Sequence, residues 1–425
     1  MRPSSWLRLW PAALLLVASC SGTHQALVAP TTSTTSTSTP TSSTVVAPGS
    51  STTGATANPT TTVSAGGPLP AGFTVADLSW VSDTEGWALG TAPCAKAPCT
   101  SVAHSVDGGR TWSGLPAPKA YLQVEFPPAA PSPPCSATVA CVQGIRFANA
   151  STGYAFGVSS LWVTTDGGDT WTERSTDGTE ALEIVGRTVF RVTHPGPIGC
   201  PPGCPYQVQA ATVGSTLWRS LPVPDIAGFG VALAANGANL YLAAFGHTAG
   251  GASDAHTAFA RSTDNGAHWS RFADPCGVTA AGTEADATAI SAAPAGTLAV
   301  ACTPRGSGGS AFVVISANAG ATFGPHRGGM LSAVASGEAI IQIAAATGQR
   351  LAVVVIGYPN VDISVSNDAG ADWSVTRTEA TPATGLNTSY LGFEDATTGR
   401  AVLSPQTILT TTDGGGHWTP FTFPS

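Results

Sequence analysis

Seven short stretches of this 425-residue chain set an acid, or its remnant, between a hydroxyl and an aromatic ring. Five are complete: SVDGGRTW at 105 to 112, TTDGGDTW at 164 to 171, STDNGAHW at 262 to 269, SNDAGADW at 366 to 373 and TTDGGGHW at 411 to 418. Two are weaker: SANAGATF at 316 to 323 and ATVGSTLW at 211 to 218. The chemistry open to Asp107, Asp166, Asp264, Asp368 and Asp413 is acid catalysis or cation binding. An oxygen cage needs several carboxylates converging on one ion, and each stretch supplies one, so the pattern reads as structural. Four loop acids, Glu125, Asp225, Glu284 and Asp286, are the candidates for a second chemistry, two carboxylates facing across a glycosidase cleft. No motif surrounds any of them. His104, His194, His247, His256 and His326 lack a metal spacing, and no Gly-x-Ser-x-Gly elbow occurs. No metal or cofactor is expected.

The elements that must position these residues follow from the spacing. The copies begin at 105, 164, 211, 262, 316, 366 and 411, a recurrence of roughly fifty residues that marks a repeat array. Each follows an apolar or alternating run, such as LWVTT before Asp166 or DISVS before Asp368, so the signature is the turn of a β-hairpin. The aspartate is expected to accept backbone N–H groups two or three residues on, and glycine to supply the positive φ of the reversal. Trp112, Trp171, Trp269, Trp373 and Trp418 then open the returning strand and fold over the turn. Four short strands fit each repeat; in the second they fall near 142–148, 153–158, 160–165 and 170–174.

A second recurring piece lies upstream of the turns, as LSWVSDTEGWALG at 78 to 90, IRFANASTGYAFG at 145 to 157 and LGFEDATTGRAVL at 391 to 403. Together the two pieces resemble Asp-box, or BNR, propellers, above all the photosystem II assembly-factor-like family and more distantly sialidases and the sortilin ectodomain. The resemblance covers residues 70 to 424. It implies an all-β, seven-bladed β-propeller of four-stranded antiparallel blades, with the marked turns joining the third and fourth strands. The last repeat carries its own fourth strand, HWTPFTF, so the ring is expected to close without a strand from the N-terminus. Such turns serve enzymes, receptors and assembly factors alike, so they specify fold rather than function. Sialidases also need an arginine triad, a Phe-Arg-Ile-Pro-like element and a Tyr/Glu pair. Here Arg110, inside the first turn, is the only arginine between the N-terminal signal and Trp112.

The N-terminus has Arg2 and Arg8, an apolar run, and then Val17, Ala18, Ser19 and Cys20. This is similar to a bacterial lipoprotein signal, with Cys20 as the lipidated residue after cleavage; an ordinary secretory signal cleaved nearby is the alternative. The domain reading is residues 1–19 as signal peptide, 20–67 as lipidated cysteine and Thr/Ser/Pro-rich disordered tether, and 68–425 as propeller. A formal charge of -8 and only two lysines, Lys96 and Lys119, exclude a nucleic-acid role.

Apart from Cys20, eight cysteines remain, an even number that fits an oxidising compartment. Eight cysteines allow 105 pairings; proximity favours Cys94 with Cys99, Cys135 with Cys141, Cys200 with Cys204 and Cys276 with Cys302. The first and third spacings also suit a metal knuckle, against which stand secretion and the lack of a matching histidine pair. In up-and-down blades these cysteines fall on the face opposite the marked turns, as do the long insertions 113–141, 194–206, 245–257 and 273–286. Function in repeat scaffolds concentrates on such loops. The expectation is therefore an extracytoplasmic, lipid-anchored, monomeric binding or assembly scaffold that engages a protein or glycan through the loop face. The alternative is a surface glycoside hydrolase.

Overall fold

The computed structural model describes residues 66–123, 135–136, 138–175, 177–194, 205–228, 230–246, 257–278, 282–305, 310–327, 339–357, 359–381 and 390–425. Cys20, Glu125, the Cys200–Cys204 pair and the N-terminal signal and tether lie outside these residues.

Seven antiparallel sheets follow one another in chain order, each built as consecutive neighbouring strands. Blade 2 is Gly144–Phe147, Gly153–Gly157, Ser160–Thr164 and Thr172–Ser175, close to the four spans read from the sequence. Blade 5 departs from the pattern with three strands, Ala285–Ala293, Thr297–Pro304 and Phe312–Ser316. Its fourth is reduced to a single bridge between Val313 and Arg327, where Gly324 and Pro325 interrupt the returning segment.

The innermost strands run almost wholly buried because each is packed between two neighbouring blades. The seams are aromatic and aliphatic: the Trp87 and Phe147 rings of blades 1 and 2 stack 3.7 Å apart. The ring closes between blades 7 and 1. The Gly72 N–H donates to the Pro424 carbonyl (3.1 Å) and Phe73 meets Phe423 edge-on at 4.8 Å. Blade 7 contains only C-terminal strands, Tyr390–Phe393, Gly399–Ser404, Thr407–Thr411 and Thr419–Thr422. Among the described residues, blade 7 borrows no strand from the N-terminus.

Every marked turn joins the third and fourth strands, and its internal bonding explains the residue choice. In blade 2 the Thr164 hydroxyl donates to Asp166 Oδ1 (2.7 Å) and accepts the Gly168 N–H (2.9 Å). Asp166 Oδ1 accepts the Thr170 N–H at 2.9 Å and Oδ2 the Thr170 hydroxyl at 2.6 Å. The aspartate thus reaches four residues on rather than two or three, because the hydroxyl residue already holds the tight inner turn. The same pattern recurs at Asp107, Asp264, Asp368 and Asp413. At Asp264 the His268 N–H, the Ser262 hydroxyl and the His268 ring hold the carboxyl below its ordinary range. Replacing Asp166 with alanine is expected to destabilise the protein by about 0.5–1.5 kcal/mol, the net worth of the lost hydrogen bonding, since water reaches the freed Thr170 donors. Urea denaturation checks it; no change in midpoint would remove the aspartate's fastening role.

The indoles divide into two groups. Trp112, Trp269 and Trp373 each donate Nε1–H to a glycine carbonyl of their own turn, at 3.0 to 3.1 Å. Trp171 and Trp418 instead reach the preceding blade, at the Pro116 carbonyl and the Thr376 hydroxyl.

All seven turns also bind the turn between the first and second strands of their blade. The donors are the backbone N–H groups of Gly108, Gly167, Val213, Asn265, Ala319, Ala369 and Gly414, at 2.7 to 2.9 Å. The weak copies at 211 and 316 keep this bond, so both are real members of the array. Trp87 Nε1–H of blade 1 donates to Gly167 O (2.9 Å), and the Tyr154 hydroxyl of blade 2 accepts the Gly214 N–H (2.8 Å). The turns therefore fasten blades to their neighbours.

Candidate functional site

Three of the expected disulfides form: Cys94–Cys99, Cys135–Cys141 and Cys276–Cys302. Cys94–Cys99 closes the loop between the second and third strands of blade 1. Cys135–Cys141 lies on the crossover into blade 2, and Cys276–Cys302 ties the crossover into blade 5 to that blade's second strand. All three staple the face opposite the marked turns.

The loop acids do not assemble into a catalytic pair. Asp225 is exposed on the crossover from blade 3 to blade 4, where its backbone carbonyl accepts Arg271 Nη2–H. Glu284 and Asp286 share one arginine at the mouth of blade 5: Arg305 donates Nη1–H to Glu284 (2.8 Å) and a bidentate pair of bonds to Asp286 (2.8 Å each). A carboxylate clamped by guanidinium is a poor general base or acid, because its lone pairs are engaged and its charge is compensated. Glu125 is outside the described residues. No group of three or more metal-ligating side chains occurs among the described residues. His268 and His417 sit on the surface with Nδ1 2.6 Å from the aspartate of their own turn.

The structure instead brings together charged residues of the innermost strands. Asp77 of blade 1 lies against Arg146 of blade 2, with Nη1 to Oδ2 at 2.7 Å, and Asp77 also accepts the Ile145 N–H at 2.8 Å. Arg146 Nη1–H is shared with the Ile145 and Leu78 carbonyls. Glu183 of blade 3 and Tyr390 of blade 7 complete the group, each within electrostatic reach of Asp77 and Arg146. All four are buried: Arg146 and Glu183 are 2% exposed, Tyr390 5% and Asp77 9%. Burial pushes the Glu183 carboxyl up to about 8 against the attraction of Arg146, and it raises Asp77 as well. Glu183 Oε1 has no hydrogen-bond partner among the described residues. A neutral acid beside an arginine-paired carboxylate is a proton donor and acceptor set at the ring's centre.

The position of this set has a backbone origin. An innermost strand turns one edge of unpaired N–H and C=O groups to the central axis, and buried groups of this kind need partners. Side chains of the preceding blade supply them. Besides Asp77 on Ile145, Ser79 Oγ accepts the Phe147 N–H (2.7 Å), Ser291 Oγ accepts the Ala345 N–H (3.0 Å), and the Thr288 hydroxyl donates to the Ile340 carbonyl (2.6 Å). Asp77 and Arg146 thus belong to a capping system that runs around the axis. Arginines that look singly scattered in sequence are not all surface residues; Arg146 and Arg400 are each buried. Arg400 lies 4.1 Å over the Trp80 ring and 3.3 Å from Glu394, whose carboxyl burial pushes up to about 8.

A second polar set lies on the loop face, between blades 3 and 4. Burial raises the Glu180 carboxyl, offset by His194 and the Tyr206 hydroxyl, which also donates to the Gly228 carbonyl at 3.2 Å. The His194 and Tyr206 rings lie 5.2 Å apart, and His194 Nε2 is buried without a partner among the described residues. The signal available in sequence was a charge inside an apolar strand run: Asp77 in TVADLSW, Arg146 in GIRF and Glu183 in TEALEIV.

The fold and this arrangement define an all-β, seven-bladed propeller with a disulfide-stapled loop face and a charged, buried centre. No protein-family model matches the sequence, and no curated protein does. Solved structures do match in shape. YCF48 bound to a D1 peptide shares 19% identity over 65% of this chain and 79% of its own, with a TM-score of 0.41. The GH74 enzyme of Niastella koreensis shares 13% over 83% of this chain and 66% of its own, at 0.34. A PL25 ulvan lyase bound to -[GlcA(1-4)Rha3S]- shares 8% over 84% of this chain and 97% of its own, at 0.50. At these identities the likeness is one of fold.

Proposed function

We propose that this chain is an extracytoplasmic, lipid-anchored binding or assembly scaffold that engages a protein or glycan through the loop face opposite its Asp-box turns. The observation that carries this reading is where its acids are. Of the described loop-face candidates, Asp225 stands alone and exposed and Glu284 and Asp286 are clamped by Arg305, while Glu180 is partly buried beside His194 and Tyr206; the acids at the centre are 2 to 9% exposed, too enclosed to meet a sugar or peptide. The loop face is the part of the ring held by all three described disulfides, which lower the entropy lost when loops dock on a partner. Both kinds of occupant occur on similar rings, a D1 peptide on YCF48 and a GlcA–Rha3S unit on the ulvan lyase.

The disulfides also support an oxidising compartment. No helix among the described residues is long and apolar enough to cross a membrane, so attachment rests on Cys20. Cys20→Ala is expected to move the protein from the membrane fraction to the soluble one. Unchanged membrane association after carbonate washing would remove the lipid anchor.

The alternative is a glycoside hydrolase, in which Glu183, held protonated by burial, would serve as the acid only where the ring's centre opens to admit a sugar. A reporter-glycoside screen with the whole protein separates the two readings. The scaffold reading expects no turnover; turnover abolished in a folded Glu183→Gln variant would replace it with the hydrolase.

A further inference from the structure

At the outer rim, where blade 1 meets blade 2, the surface opens into a cavity of about 480 Å³, within the roughly 300–1,000 Å³ of ordinary small-ligand sites. Trp162 and Trp171, on adjacent strands of blade 2, line it together with Lys119, Asp169, Thr172 and Glu173. The marked turn of blade 2 supplies Asp169 and Trp171 to it, and the chain leaving blade 1 supplies Pro116, Ala117 and Lys119.

Its origin is a local departure from the repeat. Trp171 does not turn its indole back on its own turn as Trp112, Trp269 and Trp373 do; it reaches across the seam to the Pro116 carbonyl at 3.1 Å. Trp162 is the cross-strand partner of Glu173, so the carboxylate stands beside the second indole. Trp171, half-buried, is thereby the aromatic wall of the crevice, with the edge of the buried Trp162 (8% exposed) at its floor and charged groups at its rim.

Lys119 and Glu173 are not used by the fold, while Asp169 also acts electrostatically on the buried His104 across the seam. Lys119 and Glu173 are exposed, and no side-chain hydrogen bond or ion pair engages Lys119, Asp169 or Glu173 among the described residues. A donor cation and two acceptor carboxylates in one crevice place opposing demands on a ligand. An anion meets Asp169 and Glu173, and a cation meets Lys119. A neutral hydroxyl-rich ligand satisfies all three, since each hydroxyl both donates and accepts. The Trp171 indole meanwhile covers apolar C–H surface. Pyranose rings combine an apolar ring face with a rim of hydroxyls.

We infer that the blade 1–blade 2 crevice is a binding site for a neutral oligosaccharide, with Trp171 against a ring face and Lys119, Asp169 and Glu173 on the hydroxyls. The ligand of this rim crevice does not depend on what the loop face binds.

Calorimetric titration of the whole protein with neutral glucan, xylan and chitin oligosaccharides tests it, with tryptophan fluorescence as a second readout. Saturable binding of at least one is expected, weakened about tenfold or more in Lys119→Ala/Glu173→Gln. Both positions are exposed, so the fold should persist, which circular dichroism checks. No saturable binding by any oligosaccharide at millimolar concentration overturns the inference. So does binding that the double variant leaves unchanged, or displacement of the sugar by a synthetic peptide of residues 50–65, which would make the crevice a peptide site. Loss of this binding leaves the loop-face reading untouched.

Discussion

Arg146→Met is expected to destabilise the protein by about 3–5 kcal/mol, the usual cost of removing one partner from a buried ion pair. Methionine fills most of the volume, so the loss isolates the charge. Without the guanidinium, the Asp77 carboxylate keeps only backbone partners, at Ile145 and Leu78, and stands near Glu183 in a region shut off from water. Both acids then relieve the strain by taking up protons, so the loss should be larger at pH 8 than at pH 5. Urea unfolding at the two pH values measures this. Adding Asp77→Asn and Glu183→Gln to Arg146→Met should recover most of the stability, because replacing all members of a buried charge group is far less costly than removing one. A loss below about 1 kcal/mol for the single variant would mean that water reaches the ring's centre.

The second large effect is on pH dependence. Glu183 and Glu394 each hold a proton in the folded protein up to about pH 8, against an ordinary glutamate value of 4.5. Between these limits the folded state binds more protons than the unfolded one. Stability must therefore fall as pH rises from about 5 to 8, by at most about 1.4 kcal/mol per pH unit for each group. The turn aspartates act in the opposite sense. Hydrogen bonds hold Asp107, Asp166, Asp264, Asp368 and Asp413 below their ordinary range, so their contribution is present at neutral pH and is lost in strong acid. The expected profile has a maximum near pH 5. Glu183→Gln places a neutral amide where the protonated acid sits, so it should leave stability at pH 5 nearly unchanged, raise it at pH 8, and remove about half of the slope between. Thermal melting across this range checks it; a slope equal to that of the native protein would show that Glu183 is ionised in the fold.

The ring was legible in sequence because the turn chemistry is local. A hydroxyl, an acid and a glycine within five residues fix a hairpin wherever they occur, and five such sets with two degenerate copies give the blade count. Even ATVGSTLW, which keeps only its tryptophan, preserved the bond from Val213 to Arg187 that joins the two turns of a blade. The cysteine pairs were legible for the same reason: Cys94–Cys99 and Cys135–Cys141 lie five and six residues apart. The central cluster was not, because its members sit on four different blades, the nearest two, Arg146 and Glu183, 37 positions apart, and meet only through closure of the ring. Asp77 and Arg146 become partners because neighbouring innermost strands must cap one another's backbone edges. The loop acids misled for the converse reason. Glu284 and Asp286 look free in sequence, and the arginine that engages both, Arg305, arrives from the end of the next strand.

Paired photo-crosslinking in intact cells tests the loop-face scaffold most directly. One probe replaces Lys96, exposed inside the Cys94–Cys99 loop, and the other replaces Arg110, exposed on the first marked turn. Discrete adducts are expected from position 96 and none from position 110. Adducts from position 110 alone, or from neither position, would contradict a binding function for the loop face.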